Sequence, residues 1–201
     1  FRSAEQAARL YLHENALNTQ AFPSLAEIQR EVVGWTASLL CGDDNVAGFL
    51  TSGGTESILC AVLAARERAA VERSVTEPEI VLAESAHAAF HKAAHNFGLV
   101  VRKAPVRADF TADVDAMAQM VNANTAIVVG SAPQYPHGVQ DDIQAIAAIA
   151  ASVDANCHVD ACMGGFVLPF VERLGRDVAP WDFRVAGVTT ISADIHKLGY
   201  A

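Results

Sequence analysis

From Glu79 onward the chain alternates short apolar runs with longer amphipathic stretches. The runs are Glu79–Ala83, Val100–Ala104, Ala126–Val129, His158–Val159 and Val188–Ile191. Each is short and carries Val or Ile, the signature of a strand. Between them, apolar residues recur at helical spacing over His87–Phe97, Asp113–Val121 and Asp141–Ala151, which predicts helices with one apolar face. Upstream, an Ala/Leu-rich helix is expected from Glu56 to Ala70, and residues 3–12 also have helical character. Ser24-Leu25-Ala26-Glu27 has the form of a capping box, opening a helix with Ile28, Val32, Trp35 and Leu39 at framework positions. Strands alternating with helices in this way imply βαβ units and a mainly parallel sheet covered on both faces. The expected class is α/β with three αβα layers: a helical N-terminal segment, 1–48, followed by the domain proper, 49–201.

Composition narrows the chemistry. With 52% of its 201 residues hydrophobic and 18% charged, the chain can bury a sizeable core and disorder is not expected. A formal charge of -9 argues against a sequence-independent grip on nucleic acid or on anionic lipid. Small molecules and other protein chains are the expected partners. Cys41, Cys60, Cys157 and Cys162 form no C-x-x-C pair, which suits a reducing cytoplasm. No leader or membrane-spanning run is seen, although a membrane segment before Phe1 stays open. Because the chain starts without Met and stops soon after Lys197, it is expected to be a piece of something longer.

In parallel α/β sheets, ligands bind beyond the carboxyl ends of the strands. The polar residues placed there are Ser85 to His87, Ser131, Asp160 and Asp194 to Lys197. Lys197 by itself is either a surface lysine or a Schiff-base lysine, whose amine must lose its proton and so gains from a desolvated site beside cationic groups. Asp160 either caps a loop or partners a pyridinium nitrogen, with small Ala161 beside it leaving room for a flat ring. Ser52-Gly53-Gly54-Thr55 before a helix suits an anion. No G-K-[ST] or G-x-G-x-x-G accompanies it, so a phosphate that is not part of a nucleotide is the remaining candidate. His87, His91 and His95 follow one another at i, i+4 steps. Zinc would need further Cys or carboxylate ligands that are not signalled, and no metal is expected. His87 could stack on an aromatic cofactor, whereas His91 and His95 read as packing or surface residues. In chain order these features describe a pyridoxal 5′-phosphate site.

The segments TSGGTES, SAHAAFHKAAHNFG, GSAPQYPHGVQDDI, HVDACMGGF and SADIHKLGY resemble, in the same order, those of fold-type-I pyridoxal-phosphate enzymes of the group II decarboxylase family, and within it the sphingosine-1-phosphate lyase branch. The resemblance covers residues 50 to 200. It implies the aspartate aminotransferase-like large domain, with a small C-terminal domain lying beyond this chain, and a homodimer with its active site at the interface. It implies Lys197 as the Schiff-base lysine, Asp160 at the pyridine nitrogen, and His87 and Ala161 on the two ring faces. Gly53, Gly54 and Thr55 would hold the phosphate with His196, and Ser131 would lie near the phenolic oxygen or the substrate. The implied reaction is retro-aldol cleavage of a phosphorylated long-chain amino alcohol to phosphoethanolamine and a fatty aldehyde. An amino-acid decarboxylase would use the same pocket. A catalytically idle subunit, or a nucleotide-binding regulatory domain, would share only the fold. One departure bears on substrate: Asn15-Ala16-Leu17-Asn18 stands where the lyase branch tends to carry Asn-Pro-Leu-His, so Asn18 replaces a His implicated in handling the substrate phosphate.

Overall fold

The computed structural model describes residues 2–14, 18 and 20–199. Asn15, Ala16 and Leu17 of the departure noted above lie outside the described residues. Eight helices and five strands follow in the described chain. Helices α1 (Arg2–Leu10), α2 (Pro23–Leu39) and α3 (Gly54–Arg73) come first. Strand β1 (Glu79–Ala83), helix α4 (Ala88–Phe97), strand β2 (Val100–Ala104) and helix α5 (Val114–Met120) then alternate. They are followed by β3 (Thr125–Ser131), α6 (Ile143–Ser152), β4 (Asn156–Asp160), α7 (Leu168–Arg173), β5 (Val188–Ser192) and the single turn α8 (Ile195–Leu198).

The five strands form one sheet in the order β2-β1-β3-β4-β5, and every neighbouring pair is parallel. Side chains alternate across it. Ile80, Leu82, Ile127 and Val129 pack beneath α3 and α4, against Ile58, Val62 and Phe90. Val81, Val128, Cys157 and Val159 face the other layer, against Met117 of α5 and Ile143 and Ile146 of α6. Strands β1, β3 and β4 are buried along their whole length, as expected of central parallel strands.

Local chemistry sets the helix ends. Asp113 accepts the N–H of Ala116 and Asp142 that of Ala145, capping α5 and α6. Gly98, in the left-handed conformation, ends α4. The predicted capping box does not form. Pro23 takes the first helical position and Phe22 the cap, so Ser24 already lies inside the first turn and makes no cap bond. Nor do the α2 residues expected as framework become core: no residue of α2 is buried, and Ile28 and Trp35 are exposed. Helix α1 likewise buries nothing.

Val62 and Val71 lie on opposite faces of α3, one fully buried and the other 81% exposed. Val62→Ala is expected to lower the unfolding free energy by about 2 kcal/mol or more. Val71→Ala should change it by no more than about 0.5 kcal/mol. Urea denaturation midpoints of the two variants check both values.

Candidate active site

With all strands parallel, their carboxyl ends open on one side of the sheet. The chain runs outward from β1 to β2, then returns past β1 to place β3 on its other flank. That reversal is a topological switch point, where a crevice forms in such sheets. A cavity of ≈ 450 Å³ occupies this end of the molecule.

The residues around it come from four directions. Helix α3 presents Gly53, Gly54 and Thr55 at its start. His87 enters from the cap of α4, Asp160 from the last position of β4, and His196 and Lys197 from α8. Ser131 and Ala161 do not reach the cavity. The Ser131 N–H donates to Asp141 (2.9 Å), and Ala161, fully buried, belongs to the core under α5 and α6. Strand alternation explains Ala161, which follows Val159 and Asp160 into the opposite layer. His91 and His95 stay on the exposed face of α4. Among the described residues, no group of three or more His, Cys, Asp or Glu is placed to hold a metal ion.

Strand β4 aims its functional side chains by the same alternation. Cys157 and Val159 enter the core under α5 and α6, so His158 and Asp160 point toward α3 and α4. The ring of Phe90 meets His158 edge-on at 5.7 Å. His158 is fully enclosed: Nδ1 lies 2.8 Å from Thr190 Oγ1 and Nε2 3.2 Å from Ser192 Oγ. Burial pushes its pKa down to about 4, against the opposing pull of Asp160. Asp160, 8% exposed, accepts the Cys162 N–H at 3.1 Å. The Cys162 thiol is held neutral by burial and by the nearby Asp160 carboxylate.

Two backbone devices shape the rim. Gly53 caps α3 at φ +149, a conformation that L side chains rarely adopt. A Cβ on Gly54 would stand 2.6 Å from Asp194 Oδ2 and 2.7 Å from Cys162 Sγ, so a larger residue there would have to push these side chains aside. The His87 Nδ1 accepts the Ala89 N–H at 3.1 Å, which leaves the ring proton of the neutral form on Nε2. Asp141 ties the end of β3 to the neighbouring loop by accepting the N–H groups of Ala112 and Ser131. Its burial raises the carboxyl pKa despite those two bonds.

Lys197 differs from the sequence expectation. Its neighbours are acidic, not cationic. Nζ lies 2.9 Å from Asp194 Oδ2, with Asp194 4% and Lys197 33% exposed. Burial alone would lower the ammonium pKa, but the bond to Asp194 and the nearby Cys162 and Asp160 outweigh it, and the net shift is upward. Asp194 belongs to the polar group after β5, but its spacing carried no sign of this pairing. Tyr135 and Cys162 also line the cavity and had no role from sequence. Tyr135 sits in a loop that Gln134 pins through the His137 N–H and the Phe110 carbonyl. A second cavity of ≈ 510 Å³ flanks the open edge of β5, yet neither Lys197 nor Asp160 lines it, and the chemistry lies in the smaller one.

Comparison with known proteins adds a lineage. The pyridoxal-dependent decarboxylase conserved domain matches residues 10–201. The chain is 44% identical over 206 residues to a sphingosine-1-phosphate lyase of Oryza sativa subsp. japonica, covering 100% of this chain and 38% of that protein. It is 41% identical to a probable L-aspartate decarboxylase of Halobacterium salinarum, over 99% of this chain and 53% of that one. The structure of a Burkholderia pseudomallei sphingosine-1-phosphate lyase superposes with a TM-score of 0.93 at 45% identity, covering 98% of this chain and 47% of that chain. The chain therefore spans roughly two fifths of the rice protein's length.

A buried neutral imidazole has a measurable consequence. In the unfolded chain His158 titrates near 6.5 and in the fold near 4, so between these values the unfolded state binds more protons. Stability is therefore expected to fall by about 3 kcal/mol as pH drops from about 6.5 to about 4, and to level off below. His158→Gln should flatten that part of the profile, as read from urea midpoints at each pH.

Proposed function

The chain belongs to the pyridoxal-dependent decarboxylase family, and on that premise we propose that it is the cofactor-binding part of a pyridoxal 5′-phosphate-dependent carbon–carbon lyase. The reaction is retro-aldol cleavage of a phosphorylated long-chain amino alcohol to phosphoethanolamine and a fatty aldehyde. The observation that carries this reading is the convergence of Lys197, Asp160 and His87 on one cavity at the glycine-opened start of α3, in a chain similar along its whole length to sphingosine-1-phosphate lyases.

The residues present fit the cofactor. Gly53 and Gly54 bring the start of a 20-residue helix to the cavity, and the N–H groups of a first helical turn suit a phosphate. Thr55 and His196 add polar groups at the same rim. Buried Asp160 would hold a proton on the pyridine nitrogen, His87 would lie against the ring, and Lys197 would carry the covalent attachment. When bound, the cofactor supplies an electron sink for the carbanion left by Cα–Cβ cleavage.

The chain's own groups divide the remaining work. Asp160 would keep the ring nitrogen protonated through an ion pair that low surrounding polarity strengthens. Its orientation is held by the Cys162 N–H. Lys197 Nζ is assigned as the base that takes the β-hydroxyl proton, and its neighbour Asp194 then steadies the ammonium so formed. His158 stays neutral below Asp160 and adds no competing positive charge.

We extend the proposal to a homodimer in the cytoplasm. The dimer is supported by α1 and α2, which bury no residue and leave Leu10, Tyr11, Ile28 and Trp35 exposed, an apolar surface suited to a second copy. The cytoplasmic placement is supported by four cysteines that are all free. A second reading, amino-acid α-decarboxylation, draws on the similarity to the probable L-aspartate decarboxylase. The two would differ in which substrate bond breaks, to the β-carbon in one and to the carboxylate in the other.

The full-length protein should be loaded with pyridoxal 5′-phosphate and incubated with a phosphorylated sphingoid base, and separately with a panel of amino acids, with products identified by mass spectrometry. Long-chain aldehyde with phosphoethanolamine is expected. An amine formed with loss of carbon dioxide would move the protein to the decarboxylases. Lys197→Ala should abolish the protein-bound cofactor absorption and lower turnover by about 10³-fold or more. Full turnover in that variant would overturn the role given to Lys197.

A further inference from the structure

Three carboxylates line the cavity, those of Asp160, Asp194 and Glu56, and among the described residues Asp194 is the one in contact with the lysine. Asp194 is 4% exposed and stands against the first turn of α3, with both carboxylate oxygens within 2.8 Å of where a Cβ of residue 54 would be. It holds Lys197 Nζ at 2.9 Å, and His196 Nε2 lies 3.7 Å from the same oxygen. A buried carboxylate at a helix start is favourable in itself, and the ammonium neutralises it. The three residues after β5 that line the cavity are thus tied to one another across the place where an anion would dock.

We propose that Asp194 is a positioning residue that governs cofactor loading: it holds Lys197 as an ammonium against the start of α3, and the site fills only as that ion pair opens. The inference rests on the pyridoxal-phosphate reading given above. Capture of an aldehyde by a lysine needs the free amine. The ammonium first loses a proton to solvent. The amine nitrogen then bonds to the aldehyde carbon, a C=N bond replaces C=O, and the carbonyl oxygen leaves as water. No oxidant or reductant is consumed. While Asp194 holds Nζ, the first of these events is disfavoured. An incoming phosphate at Gly53 and Gly54 would also meet the Asp194 carboxylate, and like charges there repel. Phosphate docking and lysine release are thereby coupled, since displacing Asp194 from α3 removes the partner of Nζ. The other charged or titratable groups facing Lys197 are Cys162 and Asp160 from the end of β4, with Glu56 of α3, His87 of α4 and His196 of its own turn around the same cavity. Of these, only Asp194 is in direct ionic contact with Nζ among the described residues.

The test uses the full-length apoprotein mixed with pyridoxal 5′-phosphate from pH 6 to 9, following the rate of absorbance change and the mass of the Lys197 peptide after borohydride reduction. Asp194→Asn is expected to capture the aldehyde about tenfold faster at pH 7, with its rate profile moved about one unit to lower pH, while Asp194→Glu keeps the wild-type profile. Equal or slower capture by Asp194→Asn with an unshifted profile would overturn the proposal and leave the cofactor reading standing. Absence of any capture at Lys197 in the wild type would overturn both. Should Asp194→Asn fail to fold, the wild-type apoprotein decides alone through competitive acetic-anhydride labelling across pH. Lys197 is expected to become reactive at higher pH than the exposed Lys92 and Lys103, and reactivity at lower pH would overturn the proposal.

Discussion

Everything functional in this chain depends on the five strands running in the same direction. Parallel pairing forces each connection back across the sheet, so every strand ends on one side and every following loop gathers there. That constraint brings His87, Asp160 and Lys197, far apart in sequence, to one cavity. It also makes the central strands wholly buried, and a polar residue at a strand end is then enclosed on most sides. The register of β4 between β3 and β5, with Asp160 opposite both Ser131 and Ser192, sets where the carboxylate stands.

Burial sets the protonation of two groups beside the site, His158 and Cys162. His158 is kept neutral by its full burial, which outweighs the opposing pull of Asp160. Cys162 stays a thiol for the same reason, aided by the carboxylate beside it. Lys197 is the exception, since an acidic neighbourhood outweighs the effect of its burial. The site thus sets one ammonium among carboxylates above a neutral imidazole. A phosphorylated, aldehyde-bearing ligand would meet the start of α3 with the Asp194 carboxylate set against it, and a lysine paired to that carboxylate.

Most strands and helices were legible because their apolar periods are strong and their boundaries carry Asp or Gly caps, as at Asp113, Asp142 and Gly98. The reading failed in α2, where Ser24 and Glu27 have the right spacing but the helix starts at Pro23, two residues before the one a Ser24 cap would give. It failed again in the exposure of Ile28 and Trp35, because helical spacing shows that an apolar face exists and not what covers it. The six-residue α7 and four-residue α8 were too short to leave a periodic signal. The cavity was legible in its strand-end residues, while Tyr135, brought in by a pinned loop, was not.

By itself the sequence determined the α/β class, the parallel order of strand and helix, and the identities of the lysine, aspartate, histidine and glycines at the strand ends. Those follow from local periodicity and from residue chemistry at predictable positions. Only the tertiary structure decided that Ser131 and Ala161 lie behind the wall, and that Lys197 faces Asp194 instead of cations. The reason is geometric. Which face a side chain takes is set by strand register, and a residue three positions away becomes an ion-pair partner only when a helical turn aligns it and neighbouring elements exclude the water that would otherwise separate the charges.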